Sequence, residues 1–175
     1  MKVGIISDTH KKVGRAKRAI DLLLDKGAEF MVHAGDIVKV EVLEYLEKKN
    51  IRYVAVLGNN DFHLYDLIDK FELVTEPFYF KLAGKTWKLM HYPRYMFPLD
   101  TDIIVYGHTH DVDITFNGKN LILNPGEVCA RDHGYSTCMM LEIKENKYTV
   151  TLYYRKIGED EWQSKVKEFE IAEKE

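Results

Sequence analysis

The sequence predicts an α/β fold in which two packed sheets carry helices on the outside. Three observations lead there. Apolar runs and amphipathic helical segments alternate through the first third of the chain, as they do in β-α-β units. From Phe78 onward short strand-like runs are separated by turn signals instead. Five of the runs end in metal-binding side chains, and ligands of open α/β sheets sit beyond the carboxyl ends of strands. At 175 residues with 46% hydrophobic content, one globular domain over residues 1–175 is expected.

Lys2–Ser7 is an apolar run ending in polar residues, as a buried strand does. Gly14–Gly27 follows as a helix. Its Ala16, Ala19, Ile20, Leu23 and Leu24 share one face, and Gly27 supplies the stop. Phe30–His33 is the next strand, and Val40–Asn50 is a second helix with Leu43 and Leu46 inward. Arg52–Leu57 is a third strand, so the strands run parallel with right-handed crossovers. Phe78–Leu82 and Thr86–His91 flank a turn and read as a hairpin. Thr101–Tyr106 is a short buried strand. Val112–Phe116 and Asn120–Leu123 flank Asn117-Gly118, a strong hairpin signal. Ser136–Ile143 and Tyr148–Tyr154 flank another turn. The charged tail from Ile157 offers Val166, Phe169 and Ile171 as a last edge strand.

The five run-ending segments are Asp8-Thr9-His10, Gly35-Asp36, Gly58-Asn59-Asn60-Asp61, His91 and Gly107-His108-Thr109-His110. They supply three carboxylates, four imidazoles and the Asn59 amide, a set that suits two divalent ions. Asp8 and His10 are two apart, so an extended segment turns both side chains the same way; His108 and His110 repeat that spacing. Asp36 has two oxygens and can bridge two cations. Asn59 is a neutral oxygen donor where negative charge must stay limited. Each piece also has a plainer reading. Asp8 and Asp36 can cap helices, and Gly58–Asp61 can be only a turn-rich loop. His91, with no second motif residue beside it, can be only a strand-end histidine. The set in this order is what argues against chance. His33 reads as structural, and His63 and His133 as loop residues facing solvent. Lys11, Lys12, Arg94 and Arg131 lie close enough in sequence to the motifs to pair with a phosphate.

With 25 Lys plus Arg against 28 Asp plus Glu, the net charge is -3, so no large nucleic-acid groove is expected, although a small basic patch stays open. No apolar stretch reaches transmembrane length, so no membrane partner is expected. The first strand begins at Lys2, leaving no room for a signal peptide, and the two cysteines, Cys129 and Cys138, lack zinc spacing. The chain therefore reads as cytoplasmic with free thiols.

Asp-x-His, Gly-Asp, Gly-Asn-x-Asp, a lone His and Gly-His-x-His, in this order, resemble the calcineurin-like metallophosphoesterase superfamily. The short length, the early Asp8 and Asn124-Pro125-Gly126 are similar to its small YfcE-type phosphodiesterase branch. The resemblance runs from residue 1 to about residue 154. It implies a four-layer α-β-β-α sandwich of two mixed sheets flanked by helices. By position it implies one ion among Asp8, His10, Asp36 and His110 and another among Asp36, Asn59, His91 and His108, with Asp36 bridging. Mn or Ni lead as cofactors, with Fe, Co, Zn or Mg also suited to oxygen and nitrogen donors. Two departures stand out. Asn60 occupies the position where many relatives carry a His acid. Glu127 follows Asn-Pro-Gly where Ser is common, which puts a negative group near the phosphate site if that loop lies there.

The expected reaction is hydrolysis of a small phosphodiester by a hydroxide bridging the two ions. Asn59 and Asp61 are the further candidates for catalytic roles, Asp61 by orienting a ligand from behind. Glu127 and the missing acid both favour a singly charged diester over a monoester. The alternatives are a phosphomonoesterase and a non-catalytic protein-binding scaffold, a use the same fold has in a eukaryotic retromer subunit. Relatives are often dimers or tetramers, but the sequence leaves the oligomeric state, homodimer or homotetramer included, open, with Tyr92–Pro98 as an interface or a pocket wall.

Overall fold

The computed structural model describes residues 1–171. In chain order the elements are β1 (Lys2–Ile6), α1 (Val13–Asp25), β2 (Phe30–His33), α2 (Val40–Lys48), β3 (Tyr53–Val56), β4 (Leu73–Val74) and β5 (Phe78–Leu82). There follow β6 (Lys85–Leu89), β7 (Ile103–Val105), β8 (Val112–Phe116), β9 (Leu121–Pro125), β10 (Tyr135–Lys144), β11 (Lys147–Lys156) and β12 (Gln163–Glu170). The strand–helix alternation, the hairpins and the last edge strand stand where the sequence places them. The two-residue β4 and a 3-10 turn over Phe62–Leu67 carry no periodicity long enough to read in advance.

One sheet has the order β12-β11-β10-β1-β2-β3-β4, the other β5-β6-β7-β9-β8. Strands β1 to β4 run parallel, as do β6, β7 and β9, while the hairpins and the long-range β1–β10 pair are antiparallel. Both sheets are therefore mixed. Their inner faces share one core: Val3, Ile5 and Val32 of the first sheet pack with Trp87, Leu89, Val105 and Leu123 of the second. The opposite face of the first sheet is covered by α1 and α2 through Ala19, Ile20, Leu23, Leu43 and Leu46. Central strands thus bury both faces, which explains their unbroken apolar runs.

The outer face of the second sheet is covered differently. Met90, Ile104 and Ile122 pack under Tyr95, Met96 and Leu99, a segment whose only helical turn is the 3-10 stretch Pro93–Tyr95. Lys88, on the outer side of β6 and almost fully buried, pins that segment. Its Nζ donates to Pro98 O at 2.7 Å and Met96 O at 3.2 Å and pairs with Asp100 at 2.9 Å. Strand β12 is an exposed, charge-rich edge paired along β11, with Phe169 against Phe116 at 5.3 Å between ring centres. Among the described residues, no helix is long and apolar enough to cross a membrane.

Candidate metal centre

Strands β1, β2 and β3 of one sheet and β6 and β7 of the other end at the same edge of the sandwich, and each motif follows one of these ends. The chain does not continue extended there. Asp8, His10, Asp36, His108 and His110 all have left-handed backbones, with φ of 53°, 44°, 53°, 68° and 64°. The extended geometry expected for the two i, i+2 pairs is therefore not what makes them converge. Each such turn costs an L-residue about 1–2 kcal/mol, and inter-loop hydrogen bonds hold it. Asp8 N donates to Gly35 O, His10 N to Asp36 O and Cys129 N to Asp8 O, all at 3.0 Å. Two motif glycines make the loops' approach possible. A Cβ at Gly58 would lie 2.3 Å from Asp36 N, and one at Gly107 would lie 2.2 Å from Ser7 Oγ.

The seven predicted ligands come together, in two groups. His110 Nε2 lies 3.1 Å from Asp8 Oδ1 and 3.4 Å from His10 Nε2. Asn59 Oδ1 lies 2.9 Å from His91 Nε2 and 3.2 Å from His108 Nδ1. His108 and His110 thus serve opposite sides. Asp36 stands between, Oδ2 at 3.6 Å from His10 Nε2 and Oδ1 at 3.4 Å from His91 Nε2. The donors fit a cation by a direct test. Asp8 Oδ1 is buried and has no hydrogen-bond partner, while Oδ2 accepts from Ser7 Oγ at 2.5 Å and His108 N at 3.2 Å. A buried carboxylate oxygen left bare beside two imidazoles is costly unless a cation meets it.

The imidazoles are set for the same purpose. His91 Nδ1 donates to Ala34 O at 2.8 Å and His110 Nδ1 to Glu127 Oε2 at 2.6 Å, so both Nε2 lone pairs face the site. The field is strongly cation-attracting. The adjoining Asp8 carboxylate and then Cys129 push the His110 imidazole up to about 11. Burial works against ionising Asp8 and Asp36, yet the neighbouring imidazoles of His10 and His110 and the Ser7 hydroxyl hold Asp8 far below the usual carboxylate range, and His91 with Asn60 brings Asp36 down to about 2.

Behind the ligands the structure corrects one expectation. Glu127 does not face a phosphate. It is buried behind His110, its Oε2 also accepting from Arg131 N at 2.9 Å and its Oε1 from Asp132 N and His133 N, both at 2.8 Å. Asp61 touches no ligand side chain. Its Oδ2 accepts from Ile37 N at 3.0 Å and Gly58 N at 2.8 Å, and its Oδ1 from Val38 N at 2.7 Å. It ties the loop of Asp36 to the loop of Asn59, and holds Val38 at φ 62°. Asn60 donates to Asp36 Oδ1 through its backbone at 3.0 Å and to Oδ2 through its amide at 2.8 Å.

His33 is structural, as read. Its Nδ1 accepts from Gly35 N at 3.1 Å, so Nε2 carries the proton toward Thr9 Oγ1 at 3.1 Å, and burial pulls its pKa down to about 3. Of the nearby cations, Arg131 places Nη2 at 3.3 Å from His110 Nε2, whereas Arg94 lies over the Tyr92 ring. Tyr92, which the sequence did not single out as a site residue, packs at a tilt against His108 with ring centres 4.2 Å apart.

Carboxylates and imidazoles gathered at one sheet edge could hold a divalent ion, the arrangement a metal-dependent phosphoesterase uses. The sequence profile of the Calcineurin-like phosphoesterase superfamily domain matches residues 1–146, and the chain belongs to that superfamily. It is 27% identical over 161 residues to Phosphodiesterase MJ0936 of Methanocaldococcus jannaschii, covering 85% of this chain and 96% of that one. It is 26% identical over 147 residues to Phosphodiesterase YfcE of Escherichia coli, covering 73% and 79%. Among solved structures, Vacuolar Protein Sorting 29 from Cryptosporidium parvum shares the fold with a TM-score of 0.78 at 21% identity, each chain 97% covered.

Proposed function

We propose that the chain is a phosphodiesterase acting on a small phosphodiester with two divalent ions, Mn or Ni foremost. Asp8, His10 and His110 would hold one, Asn59, His91 and His108 the other, and Asp36 would be shared. The observation that carries this reading is the placement of Asp36, with one oxygen toward each group of donors around the bare Asp8 Oδ1. Divalent ions there supply Lewis acidity, polarising phosphoryl oxygens and lowering the pKa of water from about 15.7 toward about 7.

The protein's own groups do the rest. Arg131 stands beside His110 to neutralise a phosphoryl oxygen. Glu127 holds the His110 Nδ1 proton and so keeps Nε2 aimed inward. As the water oxygen bonds to phosphorus, the ester P–O bond breaks and the departing oxygen must acquire a proton. Asn60 cannot give one, and its amide is engaged with Asp36. The departing group must then be a weak base or take its proton from water. With Glu127 turned away from the substrate, the preference for a diester rests on Asn60 and on the names of the relatives.

The test is to strip the protein with chelator, restore Mn or Ni, and time hydrolysis of bis-p-nitrophenyl phosphate against p-nitrophenyl phosphate, with His108→Ala as control. Metal-restored diester cleavage that the control lacks is expected. A higher kcat/KM for the monoester overturns the diester assignment. A second reading, a protein-binding scaffold, draws on the shared fold of Vacuolar Protein Sorting 29. Two bound metals with no turnover of either ester would favour it.

A further inference from the structure

We propose that Arg15, Arg18 and Arg155, at the N-terminal end of α1, form an anion subsite that takes a second phosphate group of the substrate; this rests on the phosphodiesterase reading above. A cleft of about 670 Å³ opens beside the ligands, lined by His10, Lys11, Lys12, Arg15, Asn60 and Arg131 among others. A second, of about 320 Å³, is lined by Gly14, Arg15, Arg18, Arg155, Ile157 and Gly158. Arg15 and Ile157 line both, so the two adjoin. No carboxylate lines either, on a chain whose net charge is -3.

Arg155 is the informative member. It is 5% exposed, it pairs with no carboxylate among the described residues, and its Nε has no hydrogen-bond partner. Its Nη1 donates to Glu159 O at 2.6 Å, and its guanidinium lies over Trp162 at 5.4 Å. Burial, then the positive charges of Arg18 and Arg15, press its pKa below the ordinary value. Among the described residues, Arg15 donates only to Cys129 O, and Arg18 meets just the exposed Asp160 at 3.6 Å. The start of α1 adds backbone N–H groups with no side-chain cap. Three guanidinium groups gathered beside such a helix end with one exposed carboxylate, Asp160, among them are relieved by an anion, and their fork suits the oxygens of a phosphate. Arg155 and Ile157 lie past residue 146, where the match to the superfamily profile ends. The substrate class the subsite selects is a phosphodiester that carries a further phosphate on one arm.

The test compares the p-nitrophenyl ester of thymidylate with and without a phosphate on its far hydroxyl, using metal-restored wild type, Arg18→Gln and Arg155→Gln. The phosphorylated ester is expected to show a KM about tenfold lower in wild type, with the ratio falling toward one in the variants. In chelator-treated protein, millimolar inorganic phosphate is expected to raise the Tm of wild type and not that of Arg18→Gln, an exposed position that folding does not need. Equal KM values for the two esters in wild type, a ratio unchanged by Arg18→Gln, or an equal Tm response overturns the subsite. If wild type cleaves neither ester, the phosphodiesterase reading fails, and the Tm comparison alone then decides for or against the anion site.

Discussion

On the Asp8 side of the centre the protein grips its donors with charge. Asp8 and His110 are buried, Ser7 fixes one Asp8 oxygen, and the Glu127 carboxylate, itself held by three backbone N–H groups, fixes His110. On the Asn59 side the grip is lighter. Asn59 is exposed, His108 is half-buried and rests on the Tyr92 ring, and the acceptor behind His91 is the neutral carbonyl of Ala34. A carboxylate behind an imidazole raises its basicity and locks its orientation more than a carbonyl does. The difference teaches that, on the two-ion reading proposed above, the Asp8 flank would retain its ion and the Asn59 flank would exchange one and meet substrate.

The largest blow to this contrast comes from Asp61→Ala, which strands the buried N–H groups of Ile37, Val38 and Gly58. A loss of about 3 kcal/mol in denaturant unfolding is expected, with metal lost first from the Asn59 side. Equal loss from both sides would show that the loops are not separately held.

A second test uses pH. His33, beneath the tightly held flank, has its folded pKa pulled down to about 3 by burial, so the unfolded chain binds its proton more readily. Its contribution to stability is full above about pH 6.5 and falls as pH drops from there toward about 3, by up to about 1.4 kcal/mol per pH unit. Unfolding curves of wild type and His33→Gln should therefore converge in acid. Parallel curves would remove His33 from the account.

Glu127→Gln comes next and bears most directly on the asymmetry. It should weaken metal binding on the Asp8 side about 10–100-fold and leave the other side unchanged, as read by calorimetric titration. Weakening of both sides, or of neither, would dissolve the distinction. The smallest effect is expected of Tyr92→Ala, less than about tenfold in affinity and confined to the Asn59 side, because only a ring contact is lost.

Much of this molecule was legible because the signals are local. Runs buried on both faces announced β1, β2 and β3, and Asn117-Gly118 announced the β8–β9 turn, where Gly118 has φ 88° and Asn120 N donates to Asn117 Oδ1 at 2.7 Å. The candidate ligands were legible from residue type and from their place after strands. The reason they converge was not, since no alternation pattern marks a left-handed aspartate or histidine. Nor was the covering of the second sheet by Tyr95, Met96 and Leu99, which have no helical period and depend on the buried Lys88.

By itself, then, the sequence determined the strand order along the chain, the donor set and the superfamily, because periodicity and side-chain chemistry are properties of neighbouring residues. Only the tertiary structure decided which imidazole has a carboxylate behind it, which carboxylate oxygen stays bare, and that Arg15, Arg18 and Arg155 share one cleft. Those depend on contacts between residues as far apart in sequence as Asp8 and His108, or Arg15 and Arg155, which no local pattern encodes.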